Sequence, residues 1–220
     1  MKRTVKLLTK NGDIKQVKGR VVMDVGGYVG MSSIGFLNFN LFDNAIIFEP
    51  NPNSFSLIEK NIKQNNFSDQ ITAFNVALSN KNSELLMELS HKNFGDHRIR
   101  QEGPVQEGHY HEEVRKIISV DSVTLDDFIK KNPQINFKNI SMVWMDIQGH
   151  EGKFLQGANN FLSSQKIPVV MEFWPYGILR SGTTKNDFLE NLVKLFTHFY
   201  IVDNEFTELQ NILNVEKLFD

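Results

Sequence analysis

The chain has 220 residues, and its 24 Lys plus Arg against 26 Asp plus Glu give a formal net charge of −2. This balance argues against nucleic acid as a partner, because nucleic-acid binders need a basic face that displaces phosphate counterions. The absence of cysteine excludes disulfides, thiolate catalysis and cysteine-ligated metals. No apolar run approaches the roughly 20 residues that span a bilayer, and the polar first residues show no signal peptide. We therefore expect a cytoplasmic protein without a membrane partner.

The first 19 residues are predicted to form an N-terminal β-hairpin. Val5 to Leu8 and Ile14 to Val17 would be its strands. They flank Asn11-Gly12, a pair that favours tight turns between strands.

The rest of the chain alternates between predicted strands and predicted helices. Short apolar runs bounded by turn residues are typical of buried strands, and they lie at Arg20 to Asp24, Ala45 to Phe48, Ile71 to Val76, Glu84 to Leu89, Ile117 to Val120, Ile140 to Asp146 and Ile167 to Phe173. Helical spacing or N-cap residues predict helices at Val29 to Phe39, after Asn51-Pro52, after Thr124, at Phe154 to Leu162 and after Thr184. Phe199 to Val202 and Ile212 to Phe219 are expected to be closing strands. This alternation predicts an α/β fold with a doubly wound, mainly parallel sheet, in one domain over residues 1–220.

A glycine-rich loop, Asp24-Val25-Gly26-Gly27-Tyr28-Val29-Gly30, follows the first predicted core strand. It fails the G-x-G-x-x-G dinucleotide pattern and lacks the G-K-[ST] of a P-loop. The remaining pattern suits a compact adenosine ligand that carries an amino-acid group and no pyrophosphate. Glu49 ends the second predicted strand, at about the twenty-residue offset where an acid binds ribose hydroxyls. The alternative interpretation is a generic strand–turn–helix.

These residues and several further blocks occur in the order seen in FkbM-type methyltransferases, which the chain resembles from about Val21 to Trp174. The further blocks are Phe48 to Pro52, Asn65, Asn75 to Ser79, Thr124 to Asp127, Met145 to Glu151 and Val169 to Glu172. The resemblance implies a class I, Rossmann-like fold that binds S-adenosylmethionine and methylates a hydroxyl oxygen of a sugar or natural product. The cofactor-binding residues expected from the motifs are Asp24, Gly26, Gly27, Tyr28, Gly30, Glu49, Pro50, Asn51, Val76 and Ala77.

The sequence departs from the family pattern at two blocks. The glycine loop has Gly27-Tyr28 where the family usually has Ala-Asn. The block at the fourth core strand has Trp144 in place of Lys and Gln148 in place of Glu. Asp24, Gly26, Gly30 and Glu49 are intact, so the departures concern the acceptor and the catalytic arrangement.

The catalytic candidates are Asp146, His150 and Glu172. A hydroxyl is a poor nucleophile, so a base or a metal should help to remove its proton. Asp146 ends the fourth core strand and is the first candidate for this base, and Glu172 ends the next strand. The alternatives are a helix cap for Asp146 and a surface or capping histidine for His150. Glu151 is expected to be a first-turn acid that favours the helix dipole.

The polar segment from Ser90 to Arg115 is predicted to be a loop, with Phe94 to His111 as a lid over the acceptor. His97, Arg98 and Arg100 would contact the acceptor, and Trp174 would stack on a sugar or pack at the rim. His109, His111, Glu112 and Glu113, with Asp96 and His97 nearby, have weak spacing for a metal site, so a solvated loop is the favoured interpretation. A divalent metal is possible but not indicated.

Three functions compete on these observations. The leading one is an S-adenosylmethionine-dependent O-methyltransferase with a small-molecule or carbohydrate acceptor. The second is an N-methyltransferase, which the Asp146-Ile147-Gln148-Gly149 segment disfavours because it lacks the Pro-Pro-aromatic motif of amino methylation. The third is a non-catalytic, methyltransferase-like binding domain. The oligomeric state and the identity of the acceptor are left open.

Overall fold

The computed structural model describes residues 1–14, 19–100, 110–202 and 209–219. The strands in chain order are β1 (Val21–Val25), β2 (Asn44–Phe48), β3 (Ile71–Phe74), β4 (Ala77–Leu78), β5 (Ser83–Leu89), β6 (Arg98–Ile99), β7 (Lys116–Val123), β8 (Ile140–Met145), β9 (Val169–Met171), β10 (His198–Phe199) and β11 (Gln210–Asn211). The α-helices are α1 (Lys2–Lys10), α2 (Met31–Asn38), α3 (Pro52–Gln64), α4 (Leu125–Lys131), α5 (Glu151–Gly157), α6 (Asn159–Gln165), α7 (Pro175–Arg180) and α8 (Lys185–Leu195). Segments of 3-10 helix lie at Glu112–Val114, Phe137–Asn139 and Ile212–Phe219. Across the described ranges, no helix has both the length and the apolar character needed to cross a membrane.

The centre of the fold is a five-stranded sheet in the order β3-β2-β1-β8-β9, in which all neighbours pair in parallel. Its side chains alternate between two hydrophobic cores, as the two-residue period of a strand requires. Val22, Ile47 and Met142 pack with residues of α1, α2 and α3 on one face. Met23 and Val143 pack with residues of α4, α5, α6 and α8 on the other. The prediction of a doubly wound, mainly parallel sheet is thereby confirmed.

The strand order reverses at β1, because β2 and β3 lie on one side of it and β8 and β9 on the other. In open parallel sheets a ligand binds outside the carboxyl ends of the strands at such a switch point. Glu49, Asp146 and Glu172 directly follow β2, β8 and β9. The topology therefore places all of these acids at the edge of the sheet that the glycine loop also occupies.

A second sheet, in the order β4-β7-β5-β6, lies beside the central one. β5 pairs antiparallel with β6 and β7, and β4 pairs in parallel with β7. The strands predicted at Glu84 to Leu89 and Ile117 to Val120 are therefore confirmed as parts of β5 and β7. This sheet carries Glu88 and Arg98, which belong to the ion-pair network described below.

The predicted N-terminal hairpin is wrong, because residues 2–10 form the helix α1. Thr4, Val5 and Leu8 are buried, and their spacing places them on one face of a helix, whereas residues three apart in a strand point to opposite faces. Asn11-Gly12 does form a turn, but Gly12 has the left-handed φ of +82° that ends a helix. Of the second predicted strand, Ile14 to Val17, residues 15–17 lie outside the described part of the chain.

The expected closing strands are also corrected. Ile212–Phe219 is a 3-10 helix whose residues Ile212 and Val215 are buried at a spacing of three, the period of that helix. Of Phe199 to Val202, the residue Phe199 is extended, in the short antiparallel pair of β10 with β11. The stripe from Phe154 to Leu162 is helical, with a break at Ala158 between α5 and α6.

Gly157 offers a test of the packing between α5 and the loop after β4. A Cβ on Gly157 would lie 1.9 Å from the carbonyl oxygen of Ser79, so Gly157→Ala should lower the free energy of unfolding by about 1–3 kcal/mol through overpacking. Gly35→Ala in α2 is the matched control, because its Cβ would meet the flexible end of Met1 at 3.2 Å. Urea denaturation should show a loss for the first variant alone, and equal stabilities would contradict the packing described.

Candidate active site

A cleft with about 580 Å³ of empty space, part of it open to solvent, lies at the carboxyl ends of the central strands. Among the predicted cofactor-binding residues, those that line it are Gly26, Tyr28, Glu49, Pro50, Val76 and Ala77. Asp146 and His150 line it too, as does His97 of the predicted lid. The cleft therefore brings together residues that are far apart in the sequence.

The glycine loop is fixed by close backbone contacts. Gly26 has a φ of +85°, and a Cβ on it would lie 2.1 Å from the carbonyl oxygen of Asp146. The amides of Gly26 and Gly27 both donate to the carbonyl of Phe48, at 2.9 and 3.2 Å. The loop is thus held against the ends of β2 and β8 at once, and residue 26 has no room for a side chain.

The remaining predicted cofactor-binding residues, Asp24, Gly27, Gly30 and Asn51, do not line the cleft. Asp24 is buried beneath the loop, where Ser33 Oγ donates to it at 2.7 Å, and burial raises its pKa to about 6. A Cβ on Gly27 would lie 2.2 Å from the Ile47 side chain, and Gly30 is the N-cap residue before α2, with a left-handed φ of +81°. Asn51 caps α3 by accepting from the Asn53 amide. These four residues therefore stabilise the glycine loop and the helices α2 and α3.

Glu49 is the buried acid of the cleft, with 5% of its surface exposed. The backbone amides of Tyr28 and Asn51 donate to its Oε2 and Oε1, each at 2.8 Å. Burial raises the pKa of Glu49 to about 7, although both amide bonds favour the charged form. A further hydrogen-bond donor that reaches Glu49 from the cleft would therefore stabilise its charged form.

Asp146 and Glu172 are joined by the side chain of Gln148. Gln148 Nε2 donates to Asp146 Oδ1 at 2.7 Å and to Glu172 Oε2 at 3.1 Å. The carboxylate of Asp146 therefore accepts from Gln148, and the alternative of a cap on the following helix is not what the structure shows. Partial burial raises the pKa of Glu172, and the charge of Asp146 raises it further.

His150 is buried at the floor of the cleft, so the alternative of a surface histidine is wrong. Its Nε2 lies 2.9 Å from Ser79 Oγ, and its Nδ1 has no hydrogen-bond partner in the described structure. Burial lowers the pKa of His150 to about 4, which keeps the ring neutral. It precedes α5 without a side-chain cap. Glu151 begins α5 as expected, where the Ile147 amide donates to its Oε1 at 3.3 Å.

A second hollow adjoins the cleft, and Gln148 lines both. Its lining residues are Asn93, Asp96, Arg98, Tyr110, Gln148, Glu172 and Trp174. Arg98, predicted to contact the acceptor, uses Nε and Nη2 on Asp96 and Nη1 on Glu112. Its guanidinium also lies 4.7 and 5.0 Å from the ring centroids of Trp174 and Tyr110. Arg98 is thus a structural part of the wall.

A buried ion-pair network behind this wall was not predicted from the sequence. Glu88 and Glu112 are fully buried, and Arg180 of α7 pairs with both, at 3.2 and 2.8 Å. Arg115 binds Asp96 at 2.6 Å. The partners lie up to 92 residues apart, so no local pattern indicates the pairing. Glu88 lies on the same face of β5 as Glu84, where a polar residue is expected, so the alternation gave no signal of its burial.

The segment considered for a metal is dispersed among other contacts. Glu112 belongs to the ion-pair network, and His111 Nε2 lies 2.7 Å from Lys92 Nζ. His109 and the middle of the predicted lid, residues 101–109, lie outside the described residues. Within the described ranges, no three His, Asp or Glu side chains gather as metal ligands. Phe94, Gly95 and His97 of the predicted lid line the cleft.

The parallel sheet, with the glycine loop after β1 and the acid after β2, defines a Rossmann-like fold of the methyltransferase type. Residues 24–207 match the Methyltransferase FkbM domain. The chain therefore belongs to the FkbM methyltransferase family, as its motifs implied. The membership supports a methyltransferase activity and hence an enzyme of the transferase class.

Solved structures resemble the fold at low sequence identity. A methyltransferase FkbM from Methylobacillus flagellatus KT matches with a TM-score of 0.50 and 17% identity, over 84% of this chain. The chain spans 41% of the length of that protein. A protein of the NADB-Rossmann superfamily from Streptococcus agalactiae matches with a TM-score of 0.44 and 13% identity, over 96% of this chain and 67% of its own. No curated protein matches the chain.

The raised pKa of Glu49 predicts a pH-dependent stability. The folded state keeps a proton on Glu49 up to about pH 7, whereas the unfolded chain releases it near 4.5, so stability should fall as the pH rises through this window. Glu49→Gln should remove a contribution of about 3 kcal/mol to that fall. Asp24 and Glu151 also have raised pKa values, of about 6 and 7. The stability of the Glu49→Gln protein should therefore still fall with pH, but less steeply.

Urea unfolding at pH 5 and pH 8 measures the difference. Glu59→Gln, which changes an exposed glutamate of α3, is the control and should keep the slope of the parent. A Glu49→Gln protein with an unchanged slope would contradict the assigned protonation of Glu49.

Proposed function

We propose that the protein is an S-adenosylmethionine-dependent O-methyltransferase whose acceptor is a hydroxyl of a sugar or small natural product. Family membership supports methyl transfer in general. The cofactor, the oxygen acceptor and the acceptor class are parts of this proposal.

The position of Glu49 is the observation that carries the proposal. Its carboxylate lines the cleft at the end of β2, which is where Rossmann-like folds bind ribose hydroxyls. The two backbone amides orient the carboxylate, whose oxygens can still accept hydrogen bonds from the hydroxyls of a nucleoside. Phe48, Val76 and Leu78 add apolar surface that suits a flat base. These residues fit the cofactor that the family implies.

We assign removal of the acceptor's hydroxyl proton to the carboxylates of Asp146 and Glu172. When bound, S-adenosylmethionine supplies an electrophilic methyl carbon attached to a positively charged sulfur. Asp146 and Glu172 stand where the cleft and the hollow meet, so they are placed to receive a hydroxyl proton. His150 is a weaker base, because burial lowers its pKa to about 4 and its Nε2 faces Ser79. We therefore assign His150 to the floor of the cleft.

The second hollow has the composition of a site for a neutral, polyhydroxylated ring. Trp174 and Tyr110 offer aromatic surface, and the amides of Asn93 and Gln148 offer hydrogen bonds. The guanidinium of Arg98 is engaged by Asp96 and Glu112, so it is a poor anchor for an anionic acceptor. This composition also supports the expectation that nucleic acid is not the acceptor.

Binding of S-adenosylhomocysteine, the demethylated product, tests the cofactor assignment. The parent should bind it in isothermal titration calorimetry, and Glu49→Ala should weaken the affinity about 10- to 100-fold, because hydrogen bonds to a charged group contribute about 1.5–3 kcal/mol. Glu59→Ala, at an exposed glutamate of α3, should bind as the parent does. The absence of binding at millimolar ligand, or a Glu49→Ala variant that matches the parent, would refute the proposal.

A panel of hydroxyl and amine acceptors with isotope-labelled methyl donor tests the chemistry. The proposal expects a methyl ether on a neutral hydroxyl compound. Methylated nitrogen would favour the N-methyltransferase, and bound cofactor without any transfer across the panel would favour a non-catalytic domain.

A further inference from the structure

The amide of Gln148 is the group that connects the two candidate catalytic carboxylates. It donates to Asp146 and Glu172 from a single nitrogen atom, Nε2. A glutamate in this position, which is the usual residue of the family pattern, would have no proton to donate when ionised. The departure from that pattern therefore creates a bridge that the usual residue would not form in its charged state.

The backbone on both sides of Gln148 is tightly held. Gln148 itself has a left-handed φ of +55°. A Cβ on the following Gly149 would lie 2.3 Å from the backbone of Gly177 in α7, and the preceding turn presses the Asp146 carbonyl against Gly26. Because the backbone of this turn has so little freedom, the Cα atom of Gln148 is held in one position.

The same packing fixes the position of Glu172. Its amide donates to the carbonyl of Met145 at 3.2 Å, which aligns the ends of β8 and β9. Gly177 lies in the helix that follows Glu172, so the contact with Gly149 ties the two loops together. Backbone contacts therefore hold Asp146, Gln148 and Glu172 in fixed positions relative to one another.

The charges that face Glu172 come from three directions. Partial burial raises its pKa first, and Asp146 from the end of β8 and Asp96 from the segment before β6 raise it further. Arg98 of β6 lowers it. Two carboxylates this close repel each other unless a donor or a proton lies between them. The amide of Gln148 is such a donor.

We propose that Gln148 is a positioning residue that holds Asp146 and Glu172 together as one proton-accepting pair where the cleft and the hollow meet. The inference rests on the proposed function. The hydroxyl proton of the acceptor passes to a carboxylate of the pair. The acceptor oxygen keeps its electron pair to bond the methyl carbon, and the electrons of the broken carbon–sulfur bond remain on sulfur. The proton then leaves to solvent.

Carbon-13 NMR titration of the side-chain carboxyl groups tests the pair without any acceptor. Glu172→Gln identifies the Glu172 signal by its loss. Gln148→Met keeps the length of the side chain and removes the donor, so the pKa of Glu172 should rise above that of the parent. Gln148→Glu adds a third carboxylate and should raise it further. Asp146→Asn removes the repelling charge and should lower it, which tests the pair even if the Gln148 variants fold poorly.

The matched controls are Gln134→Met and Gln134→Glu, which make the same changes at an exposed glutamine. They should leave the Glu172 titration unchanged. Superimposable Glu172 curves in the parent, Gln148→Met and Gln148→Glu proteins would overturn the positioning role. An unchanged curve in Asp146→Asn would overturn the pair itself.

Calorimetry separates this inference from the proposed function. S-adenosylhomocysteine should bind the parent and the Gln134 controls with equal affinity, so binding tests the cofactor assignment without a change at Gln148. Failure of the parent to bind it refutes the cofactor assignment, whereas the carboxyl titrations report on the pair in either case. With an identified acceptor, Gln148→Met should lower kcat and move the acidic limb of its pH profile upward.

Discussion

The carbonyl oxygen of Asp146 occupies the space where a side chain at residue 26 would begin, 2.1 Å from that Cβ position. This contact brings the loop after β1 directly against the loop after β8, at the point where the strand order reverses. The other features of the site depend on it. The amide of Tyr28 reaches Glu49 because the loop bends there, and Asp146 lies at the cleft because its backbone is held by that loop. A side chain at residue 26 would push apart the loops after β1 and β8, and with them the cleft proposed for the cofactor and the hollow proposed for the acceptor.

The centre of the sheet was predictable because β1, β2 and β8 are buried, so each is a largely apolar run that ends at an acid or a glycine. The acids at the strand ends were predictable for a related reason, since parallel strands bring their carboxyl ends to one edge. The N-terminal segment was not, because Val5 and Leu7 alternate as in a strand, whereas Val5 and Leu8 share one face of a helix. The Gln148 bridge depends on a left-handed turn and on a partner 24 residues away, neither of which has a local sequence signature.

Buried charges are stabilised in two different ways on the two sides of the site. Beside the second hollow, Glu88 and Glu112 meet Arg98, Arg115 and Arg180, so the charges compensate one another within the protein. Such a network contributes little net stability, because desolvation offsets much of the attraction. Its effect is geometric, since it joins β5, β6 and α7 into one wall. The same pairing leaves the guanidinium of Arg98 committed to protein carboxylates.

By the glycine loop, Asp24 and Glu49 are buried against hydroxyl and amide donors with no ion pair to Lys, Arg or His among the described residues. Burial raises the pKa of both, so ionising them costs free energy in the ligand-free protein. A ligand that brings hydroxyl donors to Glu49 recovers part of this cost when it binds, whereas an arginine partner would recover it permanently. A core carboxylate with a purely structural role would gain from the arginine. An unpaired acid facing a cleft is therefore better explained by a ligand than by stability, and this difference gives Glu49 its weight in the assignment.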